Sequence, residues 1–567
     1  MASLTTKPYF LTQKLFILFL LSLSVFLLAI SNLSQKSRLI PLHRHQNKSC
    51  LASTASKIQT QLLNTNGKGS KSKKIIKVGL VNMNNDDAYI YKSFEGLVET
   101  TLVHFDRVPE ERDWEEFFPE WIDEEEKYSK PSCPEIPMPK FEVYGDVDVV
   151  VARVPCGKNM DEKKGIRDVY RLQVNLVVAN LLVRSGWSRN FDPDRMVYAV
   201  FIGSCGPMVE LFRCDDLVSH EGDYWIFKPD LKRLRQKVLM PVGTCELAPP
   251  YATPGREMWR RRHKAQETLW KTDNSYRPPR EAYVTVLHSS EAYVCGAIAL
   301  AQSILQTKTT KELVLLADES IGTHSIKGLK AAGWKIKRIQ RIKSPHAPKG
   351  SYNEWNYSKL RVWQLTEYDK VIFIDSDFIV LENIDHFFVY PQLSAAENNR
   401  VLFNSGIMVI EPSTCMFENL IAKTTKIYSY NGGDQGFLNE VFTWWHRWPR
   451  RMNYLKQFDD EKDLKHEIRK DISTIHYLGT KPWVCFKDYD CNWDAPNPYL
   501  HQFASDSANS RWWQVYELMP KMLQSYCALN ERMLKRLKKW RGQAKNASFP
   551  DEHWKIEVKD PRLFQLV

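Results

Sequence analysis

The chain has 567 residues, 43% of them hydrophobic, 12% aromatic and 26% charged, a composition that folds around sizeable cores. Its net charge of +12 is concentrated at one end: twelve of the 79 Lys and Arg lie in residues 1–77, which hold no acid, leaving 67 basic residues against 67 acidic ones elsewhere. A neutral body excludes a general nucleic-acid binder, which needs basic surface on its folded part to displace counterions.

Residues 15–30 read LFILFLLSLSVFLLAI, an uncharged run that reaches the lower length limit of a membrane span when extended to residue 33. The competing reading is a cleaved signal peptide, with Ala29-Ile30-Ser31 as a small-x-small cleavage site. We expect a signal anchor over 15–33, a cytosolic tail over 1–14 and a polar stem over 34–73. Basic residues flank the run on both sides, so charge does not orient it. Either reading sends the chain into the secretory route. Eleven cysteines suggest some pairing in an oxidising lumen, with Cys485/Cys491 and Cys205/Cys214 close in sequence. Sequons stand at Asn32, Asn47, Asn356 and Asn546.

Residues 74–251 read as an α/β unit of their own, with strands IIKVGLVNM, DVDVVVARVP and MVYAVFIG. The segment RDVYRLQVNLVVANLLVRSG has apolar residues at helical spacing and predicts a core helix. The acidic, aromatic stretch 110–127 predicts an exposed helix or loop. No chemical motif stands out in this region. Pro249, Pro250 and the run REMWRRRHK mark a boundary.

From residue 280 the pattern turns to βα alternation. Strands are expected at YVTVL, ELVLLAD, WKIKRIQRI and KVIFI, with helices over 292–305, SIKGLKAAGW and SKLRVWQL. That order predicts a largely parallel, doubly wound sheet whose ligand sits beyond the carboxyl ends of the strands. This domain is expected over 280–495, followed by a helical, basic appendage over 496–567.

Asp375-Ser376-Asp377 follows KVIFI directly. Two carboxylates at i and i+2, leaving a buried strand, can share one divalent ion and leave sites for diphosphate oxygens. Other D-x-D pairs occur, at Asp146/Asp148, Asp192/Asp194 and Asp488/Asp490, but only this one ends an apolar strand. His476, in IHYLGTKPW, also follows a short apolar run and can add an imidazole ligand. Gly479 permits close backbone approach, and Lys481 can neutralise diphosphate charge. Trp444, Trp445 and Trp448 suit either a stacking platform for a sugar chain or the core, and we expect at least one in the core.

Taken together, these motifs resemble the family-8 glycosyltransferases, glycogenin among them, in unbroken order from residue 283 to 483. YVTVLHSSEAYVCGA matches the nucleotide-binding first strand and helix. SKLRVW carries Lys359, IDSD the metal motif, FNSG the turn Asn404-Ser405-Gly406, GGDQG the pair Asp434-Gln435, and HYLGTKPW the closing motif. The closing motif is one residue shorter than glycogenin's between Gly479 and Lys481. NEWNYSKLRVWQL, LFNSGIMVIEPS, YNGGDQGFLNEVFTWWHRWP and CFKDYDCNWD are more closely similar to the plant branch that moves glucuronic acid from UDP-glucuronate onto xylan.

The resemblance implies an α/β GT-A Rossmann-like domain, Mn²⁺ bound by Asp375, Asp377 and His476, and transfer with retention at a Golgi membrane by a lumenal body. It places Lys359, Asp375, Ser376, Asp377, Asn398, Asn404, Ser405, Gly406, Asp434, Gln435, His476, Gly479 and Lys481 around the donor, with Asp434, Gln435 and Lys359 nearest the chemistry. Asp434 would be a nucleophile in double displacement or an electrostatic stabiliser in a front-face route. Its bland alternative is a helix cap for FLNEVF. Asn398 stands where glycogenin carries an acid that holds the donor sugar; an amide there can donate to the C6 carboxylate of glucuronate. A self-priming glucosyltransferase is the first rival reading, disfavoured by FDDEKDLKHEIRKDIS, which lacks tyrosine. A catalytically dead scaffold is the second, disfavoured by the intact metal, Lys and Asp-Gln motifs.

Overall fold

The computed structural model describes residues 75–83, 98–157, 163–186, 196–249, 279–458 and 465–565. The expected tail, anchor and stem, and the REMWRRRHK run, lie outside the described residues. Among the described residues no helix is long and apolar enough to cross a membrane. Residues 75–567 cluster as one unit.

The first sheet is built from β1 (Ile76–Val81), β2 (Val98–Val103), β3 (Val149–Arg153), β4 (Tyr198–Ile202), β5 (Leu217–Glu221) and β6 (Tyr224–Phe227), in the order β2-β1-β3-β4-β6-β5. Its first four strands are parallel and the last two antiparallel. Between β3 and β4 runs α1 (Val169–Gly186), buried almost along its whole length as its Val/Leu content demands. α2 (Leu231–Val238) follows, capped by Asp230, whose carboxylate accepts from the N–H groups of Lys232 and Arg233. The stretch 110–127 is less exposed than expected. Trp114, Phe117 and Phe118 are buried, and Thr244 N–H donates to Phe117 O at 2.7 Å. Most of its acids are exposed, while Asp123 is buried, its carboxylate accepting from the N–H groups of Tyr128 and Ser129.

The second sheet contains β7 (Glu281–Leu287), β8 (Glu312–Ala317), β9 (Lys335–Arg338), β10 (Lys370–Ile374), β12 (Ser394–Asn399), β13 (Leu402–Ile410) and β14 (His446–Arg447), in the order β14-β12-β13-β10-β7-β8-β9. β10, β7, β8 and β9 are parallel, as the βα alternation predicts, while β13 runs antiparallel to β10. Between them lie α3 (Val294–Gln306) and α4 (Thr323–Ala331). β9 is shorter than the expected WKIKRIQRI strand, because Ile342 N–H turns to Ser358 Oγ at 3.0 Å. SKLRVWQL is a 3₁₀ run within Tyr352–Gln364 rather than an α-helix. Asn404-Ser405-Gly406 lies in a strand, not a turn, and Ser394–Asn399 is the strand beside it. A small third sheet joins β11 (Phe378–Val380), β15 (Tyr454–Leu455) and β16 (Thr474–His476). After β13 come α5 (Thr414–Lys423) and α6 (Asp434–Val441).

At the C-terminal end, α7 (Asp506–Leu518) buries Trp512 and Trp513 in the main core, and α8 (Glu531–Asn546) follows. Cys527 is bonded to Cys295 of α3. The other disulfides are Cys133–Cys245, Cys156–Cys205, Cys214–Cys415 and Cys485–Cys491. Proximity in sequence finds the last pair and mispairs Cys205 with Cys214. Those two bond instead to partners that folding brings near, and Cys214–Cys415 ties the first sheet's segment to α5. Trp444, Trp445 and Trp448 are all buried, with Trp444 Nε1 donating to Val242 O, so none is a sugar platform.

Candidate functional site

The site forms where β10 ends. Valine, isoleucine and phenylalanine bury β10 completely from Val371 to Ile374, and the chain then emerges at Asp375. Asp375 N–H donates to Gly406 O at 2.8 Å, so β13 continues the sheet past the acids. β11 starts at once, and its antiparallel register with β16 sets Phe378 opposite His476. The Phe378 and His476 rings stack with centroids 4.1 Å apart. That register places His476 Nε2 3.6 Å from Asp377 Oδ1. A β-carbon at residue 406 would stand 2.9 Å from His476 Cε1 and 2.8 Å from Asn404 Oδ1, so the imidazole's position requires glycine there.

Two lysines close the polar wall. Lys359 Nζ, buried, lies 2.6 Å from Asp434 Oδ2 and 3.3 Å from Asp375 Oδ2, and it donates to Ser405 O at 3.1 Å. Lys481 Nζ lies 2.7 Å from Asp377 Oδ2. Burial pulls both ammonium groups down, but Asp375 and Asp434 around Lys359, and Asp377 beside Lys481, outweigh it and raise both pKa values. Burial raises Asp375, with Asp377 and Asp434 adding to the rise against Lys359. Burial also pushes Asp377 up, yet the Lys481 ammonium beside it brings it below the ordinary carboxylate range. Burial lowers His476 to about 4, leaving a neutral ring.

Asp434 and Gln435 open α6. Asp434 is not the helix cap: Gly433 holds that position, and the carboxylate accepts from Ser405 Oγ at 2.8 Å and from Lys359. Gln435 Oε1 accepts from Ser405 N–H at 3.2 Å, and its Nε2 donates to Tyr430 OH at 2.8 Å. Asn404 Nδ2 donates to Asn398 Oδ1 at 3.0 Å. Glu397, its neighbour on β12, is buried and paired with Arg447 and Arg450. Ser376 sits between the two acids with its carbonyl against Gly296 of α3. Gly479 has φ +71, a backbone that favours glycine. The residues expected around the donor thus come from the second sheet and the turn that leaves β10, the 3₁₀ run Tyr352–Gln364, the start of α6, and β16 of the third sheet with the loop that follows it.

Asp375, Asp377 and His476 offer the hard oxygens and single imidazole that suit a divalent ion. Their donor atoms do not all lie within 4.8 Å of one another; among the described residues only Cys485, Asp490 and Cys491 do, and that cysteine pair is a disulfide. The donor set nevertheless fits a cation. Asn453 Oδ1 lies 3.1 Å from His476 Nδ1; with Nδ1–H donating to that oxygen, the Nε2 lone pair faces a carboxylate. Two electron-rich groups face each other there, and a cation between them would relieve the repulsion. Sequence reasoning missed Asn453, Tyr430 and the residues behind α6, since each acts across a long separation and carries no local pattern.

Residues 284–485 match glycosyl transferase family 8, and residues 49–245 match the GUX1-5 N-terminal domain. Three Arabidopsis thaliana relatives match along most of their length. The chain is 55% identical to "Putative UDP-glucuronate:xylan alpha-glucuronosyltransferase 5", over 86% of each chain. It is 53% identical to "Putative UDP-glucuronate:xylan alpha-glucuronosyltransferase 4", over 87% of each, and 48% identical to "UDP-glucuronate:xylan alpha-glucuronosyltransferase 2", over 86% of this chain and 80% of that one. The chain belongs to glycosyl transferase family 8. The family-8 match begins in β7 and ends beyond the closing motif, so it contains the whole polar wall. The second match gives the region over the first sheet a family of its own, which no motif had suggested.

Proposed function

We propose that the protein transfers glucuronic acid from UDP-glucuronate to the xylan backbone, with retention, forming α-linked branches. The observation that carries this reading is the kinship itself: the chain is 55% identical, over 86% of its length, to a relative whose name states that activity. The residues support it. Lys481 and Lys359 offer positive charge for a departing diphosphate, each already oriented by a carboxylate. The chemistry a bound divalent ion supplies is neutralisation of the leaving UDP, and we take Mn²⁺ as that ion, held by Asp375, Asp377 and His476. Asp434 presents a carboxylate at the sugar's side of the wall. With Oδ2 taken by Lys359 and Ser405, we assign it to electrostatic stabilisation of the charge that develops on the sugar, and Gln435 to orienting the ring.

We also place the body in the Golgi lumen, held by a single-pass type II anchor at residues 15–33. Support comes from that apolar run and from the five disulfides among the described residues, a bond type that persists in oxidising compartments. The test is a panel of UDP-sugars offered with xylo-oligosaccharides, read by mass spectrometry of the product and by its sensitivity to an α-glucuronidase. Transfer of glucose but not glucuronic acid, or a β-linked product, refutes the proposal. Protease protection in microsomes checks the lumenal placement.

A further inference from the structure

The loop that carries Lys481 is held by a second loop with no assigned role. Residues 485–491 are closed by the Cys485–Cys491 disulfide, and the next residue, Asn492, is fully buried. Asn492 Oδ1 accepts from Thr480 N–H at 2.9 Å, and its Nδ2 donates to Thr480 O at 3.1 Å. One side-chain amide thus pairs both polar groups of a single residue, as a neighbouring strand would. Asp490 sets the amide's orientation: Asp490 Oδ1, which can only accept when ionised, takes Asn492 Nδ2 at 2.7 Å and Asn492 N–H at 3.0 Å. Asp490 is itself fixed by Lys456 Nζ at 2.6 Å and Ser505 N–H at 3.0 Å. Lys456 in turn donates its backbone N–H to His476 O at 3.0 Å. Packing around the loop is equally tight. A β-carbon at Gly479 would stand 2.9 Å from Asn492 Oδ1 and 2.8 Å from Phe503 Cβ.

We infer that Asn492 is a positioning residue that sets the Lys481 ammonium for the donor's diphosphate by fixing the Thr480 backbone. The inference rests on the reading of this wall as a nucleotide-sugar site. It explains how a closing motif with one residue fewer still delivers its lysine: the chain is pinned at Thr480, and the side chain of the next residue reaches Asp377. Removing the amide frees the segment to swivel about Gly479 while the nucleoside's own contacts stay in place.

Titration of the purified protein with UDP and with uridine tests this, in wild type, Asn492→Ala, Lys481→Ala and the double variant. Asn492→Ala should weaken UDP roughly ten-fold, the loss from one misplaced charge-assisted hydrogen bond, and leave uridine binding unchanged. The double variant should bind UDP no more weakly than Lys481→Ala alone, because the amide acts only through that lysine. Retained uridine binding also reports that the variant is folded. Gly479→Ala, which displaces the same loop by crowding, should reproduce the pattern. Equal losses for uridine and UDP, or losses that add in the double variant, overturn the inference. A wild type that binds UDP no better than uridine refutes the diphosphate site itself.

Discussion

The pair Asp434-Gln435 opens α6, and the far half of that helix is gripped from the segment that leads into α1. Arg167 NH1 donates to Glu440 Oε2 at 2.7 Å, and its NH2 donates to Glu440 Oε1 at 3.2 Å and Asn439 O at 3.0 Å. Gly165 N–H adds a bond to Glu440 Oε2 at 2.7 Å. Asn439 joins the helix to β13, pairing both Phe403 N–H and O at 2.9 Å. Arg167→Ala removes three bonds and leaves a carboxylate whose side chain is only 14% exposed. Breaking a buried pair by removing one partner costs about 3–5 kcal/mol. The surviving Gly165 bond and the residual exposure bring this case to about 2–3 kcal/mol. Concentrated at one end of an eight-residue helix, that loss moves the other end, and a displacement near ~1 Å lowers turnover by up to about 100-fold. We expect kcat for transfer to fall at least ~10-fold with a smaller change in donor KM, and Arg167→Lys, which keeps the charge but not the planar fork, to recover part of it. The assay is steady-state transfer beside a thermal melt. An Arg167→Ala protein that melts earlier yet turns over at the wild-type rate refutes the argument.

Asp375→Ala and Asp377→Ala should each abolish metal-dependent transfer. Asp375→Ala should stay the more stable of the two, since Lys359 keeps Asp434 whereas Lys481 loses its carboxylate partner; metal titration and melting together check this, and near-normal turnover in either variant refutes the ligand assignment. His553 bridges Asp506 at 2.8 Å and Asp551 at 2.9 Å, tying the segment after α8 to α7; burial lowers its pKa, but the two acids hold it up at about 9 against an ordinary 6.5. A pKa raised on folding stabilises fully below pH 6.5 and is lost as pH rises through 9, by about 1–2 kcal/mol after discounting for the half-exposed Asp506. Denaturant curves across that window should lose their slope in His553→Gln; parallel curves for the two proteins would count against the bridge.

The parts of this structure legible in the sequence are those written in short-range patterns. An apolar strand followed at once by two acids identifies the sheet edge, because burial ends where charge begins. Gly479 announces close approach and is crowded; Gly406, read as part of a turn, is crowded too and lies in a strand. Contacts between distant segments leave no such trace. Trp444, Trp445 and Trp448 read equally well as core or platform, since an aromatic cluster has the same composition on either side of a surface. Cys214 bonds across 201 residues to Cys415, and Arg167 reaches Glu440 across 273, so neither partner could be chosen by proximity. Asn492 lies inside the motif CFKDYDCNWD, yet its role depends on Asp490 fixing which end of the amide points at Thr480. Local pattern locates the reacting groups, and the segment leading into α1 and the C-terminal loops determine how rigidly they are held.

Donor choice brings these threads to one residue. Asn398 lies on β12 beside the polar wall, with Oδ1 accepting from Asn404 Nδ2 at 3.0 Å. That bond occupies the carboxamide oxygen, and the NH₂ of the same group can donate to the C6 carboxylate of glucuronate. Glu397 does not oppose this, because its charge is neutralised by Arg447 and Arg450. Arg400 is exposed, so it adds nothing specific to the wall. Asn398→Asp is isosteric and can still accept from Asn404, so the fold should be indifferent to it. It replaces the donor with a second negative charge. Two carboxylates about 5 Å apart, at the effective dielectric of a protein surface, repel by about 3 kcal/mol, and screening halves that. We therefore expect the ratio of kcat/KM for UDP-glucuronate over UDP-glucose to fall about ten-fold, with UDP-glucose itself little changed. If both donors lose activity together, the new carboxylate has damaged the wall rather than the selectivity. If the ratio does not move, β12 does not read the C6 carboxylate, and another element discriminates between the donors.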